Sequence, residues 1–221
     1  MGIKDEFLID FVLHIDHHLV TLVNVFGNWT YLILFAVIFI ETGAVIMPFL
    51  PGDSLLFAAA ALAAASTNDL NIWIFVILFF LASALGDSLD FFLGRKVGLA
   101  ITDNKYLSRF IKPKDFEKAH RFFDKYGSWA ILLGRFMPIV RTFVPFVAAS
   151  SDYSYQKFVK YNVSACVAWV VLCCGGGYFF GNIPFVKEHF SAVILTIILI
   201  TLLPAIIGVI KTRFTSKKDE A

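Results

Sequence analysis

Charge is scarce in this chain. Only 16% of its 221 residues are Asp, Glu, Lys or Arg, while 58% are hydrophobic, a balance outside the range of a soluble domain. That shortage defines an integral membrane protein, and the length suits one domain with a handful of crossings, since each span needs about 20 apolar residues. Cysteine is equally sparse. Cys166, Cys173 and Cys174 share one apolar stretch without partners at metal-ligand spacing, so they read as small core residues and no metal or cofactor is expected. A short basic leader is missing too, because Asp5, Glu6, Asp10 and Asp16 interrupt the first apolar residues, and the N-terminus is expected to stay in the mature protein. No Cys/His or Ser/His arrangement and no phosphatase signature is present, which argues against an enzyme.

Long apolar runs are what the chain has in abundance. Residues 191–210 form one, Val159 to Gly181 and Ile72 to about Leu93 two more, and transmembrane helices are predicted over 70–94, 157–182 and 187–210. The opening residues 1–28 carry Asp10, His14, Asp16, His17 and His18, too polar for a comfortable span and suited to an interfacial helix. His17 and His18 are adjacent and diverge on a helix, which favours a headgroup-facing cluster over a metal site. Between Gly94 and Gly127 stand nine Lys or Arg against four Asp or Glu, and the tail 211–221 adds four basic residues. Both segments are therefore predicted on the cytoplasmic side. Within the loop 95–127, Phe116, Ala119, Phe123 and Tyr126 share one helical face, the pattern of an amphipathic helix that rests on anionic lipid or links two parts of the protein.

The stretch ETGAVIMPFLPGD, residues 41–53, breaks the pattern. Twelve uncharged residues, Trp29 to Ile40, precede it, and thirteen, Ser54 to Ser66, follow. Twelve helical residues rise about 18 Å, too little for a hydrocarbon core of about 30 Å. Gly43, Pro48, Pro51 and Gly52 end helices and permit a reversal. A re-entrant hairpin over 29–66 is predicted, with Glu41 and Asp53 flanking its tip in a protein-lined or wet cavity, where acidic groups usually face a functional interior. The run FAAAALAAAS and Gly175 to Gly177 permit either close helix packing or a path for a lipid tail.

The arrangement recurs. Laying residues 26–43 over 126–143 aligns Gly27 with Gly127, Trp29 with Trp129 and Glu41 with Arg141, and DFFLGR at 90–95 resembles GYFFGN at 177–182. The second copy, a hairpin over 128–155, carries Arg135, Pro138, Arg141 and Pro145. With one span between the hairpins, they open on opposite sides. The expected fold is an all-α polytopic membrane protein of two inverted repeats, each a re-entrant helical hairpin followed by a transmembrane helix, with a further C-terminal transmembrane helix. Secondary transporters use this architecture, with their site at the repeat interface. Glu41 and Asp53 are candidate proton-coupling or gating residues. Arg135 and Arg141, whose planar forks match phosphate, are candidate headgroup ligands.

The blocks ETG and PFLPGD, GDSLDFFLGRKVG at 86–98 and GRFMPIVRTFVPFVAAS at 134–150, with Asn162 and Trp169, resemble the DedA family of bacterial membrane proteins over about residues 29–182. The resemblance implies two opposed re-entrant hairpins, a place in the bacterial cytoplasmic membrane, and proton-coupled lipid translocation. The substrate it implies is undecaprenyl phosphate returning to the cytoplasmic leaflet, or phosphatidylethanolamine in a flippase or scramblase. The family's acidic and arginine pairs match Glu41, Asp53, Arg135 and Arg141. A proton-coupled small-ion or drug antiporter stays open as a different class. Expected partners are a polyprenyl-phosphate or phospholipid substrate, protons and membrane lipids, with no nucleic acid; oligomeric state is unread. Two positions depart from the family pattern, Asp90-Phe91 and Ala149-Ser150. Asp90 shares a helix face with Asp87 and either alters coupling or serves as a helix-end carboxylate near Arg95.

Overall fold

The computed structural model describes residues 25–43, 52–64, 70–97, 113–181 and 183–188, with the single positions 21, 192, 193 and 196, and these contain helices and turns and no strand. In chain order the helices are α1 (Trp29–Gly43), α2 (Gly52–Ala64), α3 (Ile72–Val97), α4 (Pro113–Tyr126), α5 (Trp129–Gly134), α6 (Pro138–Ser150), α7 (Tyr155–Phe180) and α8 (Pro184–Glu188). Nearly all of the expected N-terminal interfacial helix, the tip carrying Pro48 and Pro51, most of the expected C-terminal span and the tail lie outside the described residues.

Length separates the helices into two kinds. α3 and α7 have 26 residues each, about 39 Å, and both are apolar and long enough to cross a membrane. α1 has 15 residues, and α2 and α6 have 13 each, so they reach only about 20 Å and fall short of a crossing. Their starts are set by local chemistry. Gly27 and Gly127 take left-handed φ angles of +51° and +53°, which glycine adopts without a Cβ clash. In each turn the glycine carbonyl accepts a bond, from the Thr30 N–H at 3.1 Å and from the Ala130 N–H at 2.9 Å. Trp29 and Trp129 follow, both exposed, at the kind of helix end where an indole suits a membrane interface.

The short helices pack on the long ones in a crossed pattern. α1 lies against α3 and α5 against α7, while α2 lies against α7 and α6 against α3. Missing side chains permit the crossings. A Cβ on Gly94 of α3 would stand 2.5 Å from the Phe146 carbonyl oxygen of α6, and one on Gly177 of α7 would overlap the Phe57 backbone of α2.

Two apolar clusters result. Leu34, Ile38, Leu56, Phe75 and Phe79 anchor one, and Phe91, Phe123, Phe143, Phe146 and Phe158 the other. Between them α3 buries Ser83, Asp87 and Asp90, and α7 buries Asn162. The outer side is the reverse. Trp73, Ile77, Leu81, Leu85, Leu89 and Phe92 are exposed apolar residues along α3, and their spacing of about four residues winds the exposed surface slowly around the helix. Apolar outside and charged inside suits a lipid environment.

The amphipathic helix predicted in 95–127 is α4, which packs on α6 through Ala119 and Phe123. Its face differs at one end. Tyr126 is exposed and rests against Phe122, ring centroids 4.7 Å apart, so Phe122 rather than Tyr126 continues the packed face.

Two glycines on one helix test the crossing. Gly177→Ala drives a methyl into Phe57 backbone, which has little room to yield, and is expected to lower stability by about 1–3 kcal/mol. Gly175→Ala meets nothing within 4 Å and is expected to be neutral or to stabilise by up to about 1 kcal/mol through helix propensity. Thermal unfolding of both variants in detergent checks the contrast.

Candidate functional site

Broken helices bring the site together. Glu41 lies in the last turn of α1 and Asp53 in the first turn of α2, where the positive end of the helix dipole favours a carboxylate. Arg141 lies in the first turn of α6, set by Pro138 at the helix start, a position proline's fixed φ favours. The residue before it, Met137, is extended at φ −112°, ψ 108°, as a following proline demands. Arg135 occupies the turn so formed between α5 and α6. Pro145, inside α6, lacks the N–H that would otherwise bond the Arg141 carbonyl.

One guanidinium holds two carboxylates. Arg141 Nη1 donates to Asp53 Oδ1 at 2.9 Å, and Nη2 donates to Glu41 Oε1. The indole Nε1 of Trp169 donates to the same Asp53 oxygen at 2.8 Å. Glu41 is pressed so close to α2 that a Cβ on Gly52 would overlap its carboxylate. That contact gives Gly52 a second reason to be glycine, beyond the reversal predicted for it.

The second arginine has a separate partner. Arg135 Nη1 donates to Asp87 Oδ2, and the Cys166 thiol stands 3.5 Å from that oxygen and 3.6 Å from Asn162 Oδ1. Trp169 joins the two pairs, with the Arg135 guanidinium 4.7 Å and the Arg141 guanidinium 5.9 Å from its ring centre, both within cation–π range. Burial is uneven across the cluster. The Asp53 and Arg141 side chains keep 21% and 14% exposure, against 2% for Glu41 and 4% for Asp87, so Asp53 and Arg141 form its accessible corner.

The charges do not balance. Glu41, Asp53, Asp87 and Asp90 are four carboxylates against two guanidiniums, an excess of two negative charges if all are ionised. Glu41 Oε2, Arg135 Nε and both oxygens of Asp90 are buried without a hydrogen-bond partner. With both guanidiniums already paired, an anion at either arginine would displace a carboxylate. Among the described residues no three His, Cys, Asp or Glu side chains converge as metal ligands.

Of the residues singled out from sequence, Glu41, Asp53 and Arg141 meet directly, and Arg135 meets Asp87. Gly43 ends α1 and packs on Gly86 of α3. Asp90 and Arg95 do not form the helix-end pair that was one of two sequence alternatives. Arg95 is exposed, whereas Asp90 is fully buried and unpartnered. From sequence, Asn162 and Trp169 enter only through the family resemblance and Cys166 only as a small core residue. Their spacing of four and three residues places all three on one face of α7, and that polar face within an apolar span was the signal available.

An apolar exterior around a buried carboxylate–guanidinium cluster at the ends of broken helices defines a membrane protein of the transporter-like kind. The VTT domain model matches residues 50–179. The chain is 47% identical over 207 residues to Protein DedA of Escherichia coli strain K12, covering 94% of each chain. It is 40% identical over 185 residues to an uncharacterized membrane protein of Mycobacterium tuberculosis, covering 84% of this chain and 81% of the relative. It is 33% identical over 211 residues to the inner membrane protein YghB of Escherichia coli strain K12, covering 96% and 92%. No solved structure matches. The chain belongs to the DedA family of membrane proteins and carries its VTT domain.

Arg141→Ala strands the buried Glu41 carboxylate and takes an ionic partner from the part-exposed Asp53. The expected loss is about 3–5 kcal/mol, read as a lower unfolding temperature in detergent. Adding Glu41→Gln and Asp53→Asn to Arg141→Ala removes the uncompensated charges and is expected to recover most of that loss.

Proposed function

We propose that this protein is a proton-coupled lipid translocase that returns undecaprenyl phosphate to the cytoplasmic leaflet for cell-envelope synthesis. One observation carries this function: both guanidiniums suited to a phosphate are occupied by carboxylates. Phosphate and carboxylate then compete for the same arginines. Protonation of Glu41 and Asp53 frees Arg141, and the lipid phosphate takes its fork. Deprotonation lets the carboxylates reclaim it and expels the headgroup.

The direction of proton coupling follows from charge. An anion moving inward across an inside-negative membrane works against about 2.3 kcal/mol per charge per 100 mV. Protons accompanying the phosphate cancel that load. The proposed frame is a multi-pass protein of the bacterial cytoplasmic membrane, with α4 and the C-terminal tail on the cytoplasmic side. Within it α1–α3 and α5–α7 form two inverted repeats, with α1 and α2 as one re-entrant hairpin and α5 and α6 as the other. Support comes from the crossed packing, the paired left-handed turns at Gly27 and Gly127, and the broken helices shorter than a bilayer. Discontinuous helices that deliver charge to a shared central site are the secondary-transporter arrangement.

The test uses full-length protein in vesicles containing undecaprenyl phosphate, with headgroup accessibility followed with and without an imposed pH gradient. Wild type is expected to move the lipid faster than protein-free vesicles. Arg141→Lys, which keeps the charge but loses the planar fork, is expected to slow it at least tenfold. Glu41→Gln is expected to move the lipid with its dependence on the gradient abolished. Equal movement in all three, or none, overturns the phosphate-carrier function. Movement of phosphatidylethanolamine in place of the prenyl lipid assigns a phospholipid flippase instead, and ion-driven flux in vesicles without prenyl lipid assigns an antiporter.

A further inference from the structure

Asp90 belongs to the buried polar band and takes no part in its ion pairs. Its side chain is fully buried, and neither carboxylate oxygen has a hydrogen-bond partner among the described residues. Its position on α3 follows from its neighbours one turn away on either side. Gly86 meets Thr42 and Gly43 of α1, and Gly94 meets Phe146 of α6. Asp90 therefore lies in the seam that the end of α1 and the body of α6 close over α3.

Among the described residues, the charged groups on the helices packed against that seam are bonded elsewhere or exposed, Lys157 and Lys160 of α7 being among the exposed. Glu41 of α1 and Asp53 of α2 bond to Arg141 of α6. Arg135, before α6, and Cys166 of α7 contact Asp87. The ring of Tyr155 on α7 packs on Phe91 and Phe92. Arg95 and Lys96, further along α3, are exposed. The neighbouring charge on α3 itself is Asp87, three residues before Asp90 and of like sign.

An ionised carboxylate with no donor, no counter-ion and a like charge one turn away is strongly disfavoured in a low-dielectric interior. An alkali ion needs several oxygen ligands, and the Asp90 oxygens have no polar partner among the described residues. A proton needs one oxygen. We propose that Asp90 is a second proton-binding site, a carboxylic acid that holds its proton on α3 separately from the Glu41–Asp53–Arg141 cluster.

The fold itself does not call for a carboxylate there. When DFFLGR is laid over GYFFGN, the residue of α7 corresponding to Asp90 is Gly177, and Gly94 corresponds to Gly181. A glycine thus serves the corresponding helix crossing. Asp90 is an addition to the scaffold, next to the carboxylate that Arg135 neutralises. If Arg135 turns from Asp87 to an anionic ligand, Asp87 requires a proton, and the Asp90 proton is one turn away. The site stands on burial and missing partners alone; only this use of its proton rests on the translocase function.

Infrared spectra of the full-length protein in phosphatidylcholine vesicles at neutral pH test it, with and without aspartate labelled with carbon-13 at its side-chain carboxyl. Wild type is expected to show a protonated carboxylic-acid C=O band that shifts with the aspartate label. In Asp90→Asn the band is lost. In Asp90→Glu it returns without the aspartate shift, a readout that a merely structural role would not move and that keeps the test decisive should Asp90→Asn fold poorly. Absence of a labelled acid band in wild type, or its persistence in Asp90→Asn, overturns the proposal. So does loss of the wild-type band on adding sodium chloride, which would make Asp90 an alkali-ion ligand. No transport is measured, so failure of the lipid assay and failure of this site are distinguishable.

Discussion

The bond from Arg141 to both Glu41 and Asp53 is the constraint on which the rest of the structure depends. It joins α6 to α1 and α2 across sequence separations of 100 and 88 residues. Helix ends leave backbone groups without intrahelical partners, and a bilayer core offers no water to satisfy them. In the proposed re-entrant arrangement, helices ending at such depth need their ends gathered in one protein-lined place. A planar fork with two acceptors, one from each side of a break, does this. The arrangement also explains why two acidic groups are tolerated in so apolar a chain. Each partner removes the penalty of the other, and neither side of the bond is dispensable.

The long helices serve that gathering. α3 and α7 run past the cluster and supply its lining, Asp87 from one and Asn162, Cys166 and Trp169 from the other. Trp169 has a double use. Its edge donates to Asp53 while its face lies beneath both guanidiniums, so it keeps the arginines near one another without a carboxylate between them. Close approach of the short helices requires bare backbone, and the glycines of α3 and α7 stand where α6 and α2 touch. The small residues that the sequence left open between packing and a lipid path are, at Gly177 and at Ala58 to Ala61, buried packing surface.

Much of this was legible in the sequence because a membrane makes composition speak. Apolar run length located α3 and α7 to within a few residues, and arithmetic on run length marked α1 and α2 as too short to cross. The site residues stood out for the same reason. Charges within apolar sequence are few, and Glu41, Asp53, Arg135 and Arg141 were among them. What stayed hidden was pairing, since nothing in the spacing of Asp87 and Arg135, 48 residues apart, states that they meet. Of the two alternatives for Asp90, helical spacing could not exclude the one near Arg95, because the environment of Asp90 is set by α1 and α6, distant in sequence. Trp169 stood out only as part of the family resemblance, because its contacts alone show what it joins.

On the proposed function, the occupied arginines bear on how the cluster would work as a carrier site for an anionic headgroup. A pair of free guanidiniums would bind any phosphate tightly and release it slowly. Here the carboxylates are built-in competitors, so an anionic headgroup gains only the difference between its own bonds and those it displaces. Release becomes as available as capture, and proton occupancy decides between them. The uneven exposure gives the exchange an order. Arg141 and Asp53 stand at the accessible corner and Arg135 and Asp87 deeper, so a phosphate entering there meets Arg141 first and Arg135 second, over the face of one tryptophan. Neutralising the carboxylates in the same sequence keeps the net charge of the cluster low at each stage, which is the condition for moving a charged headgroup through an apolar interior.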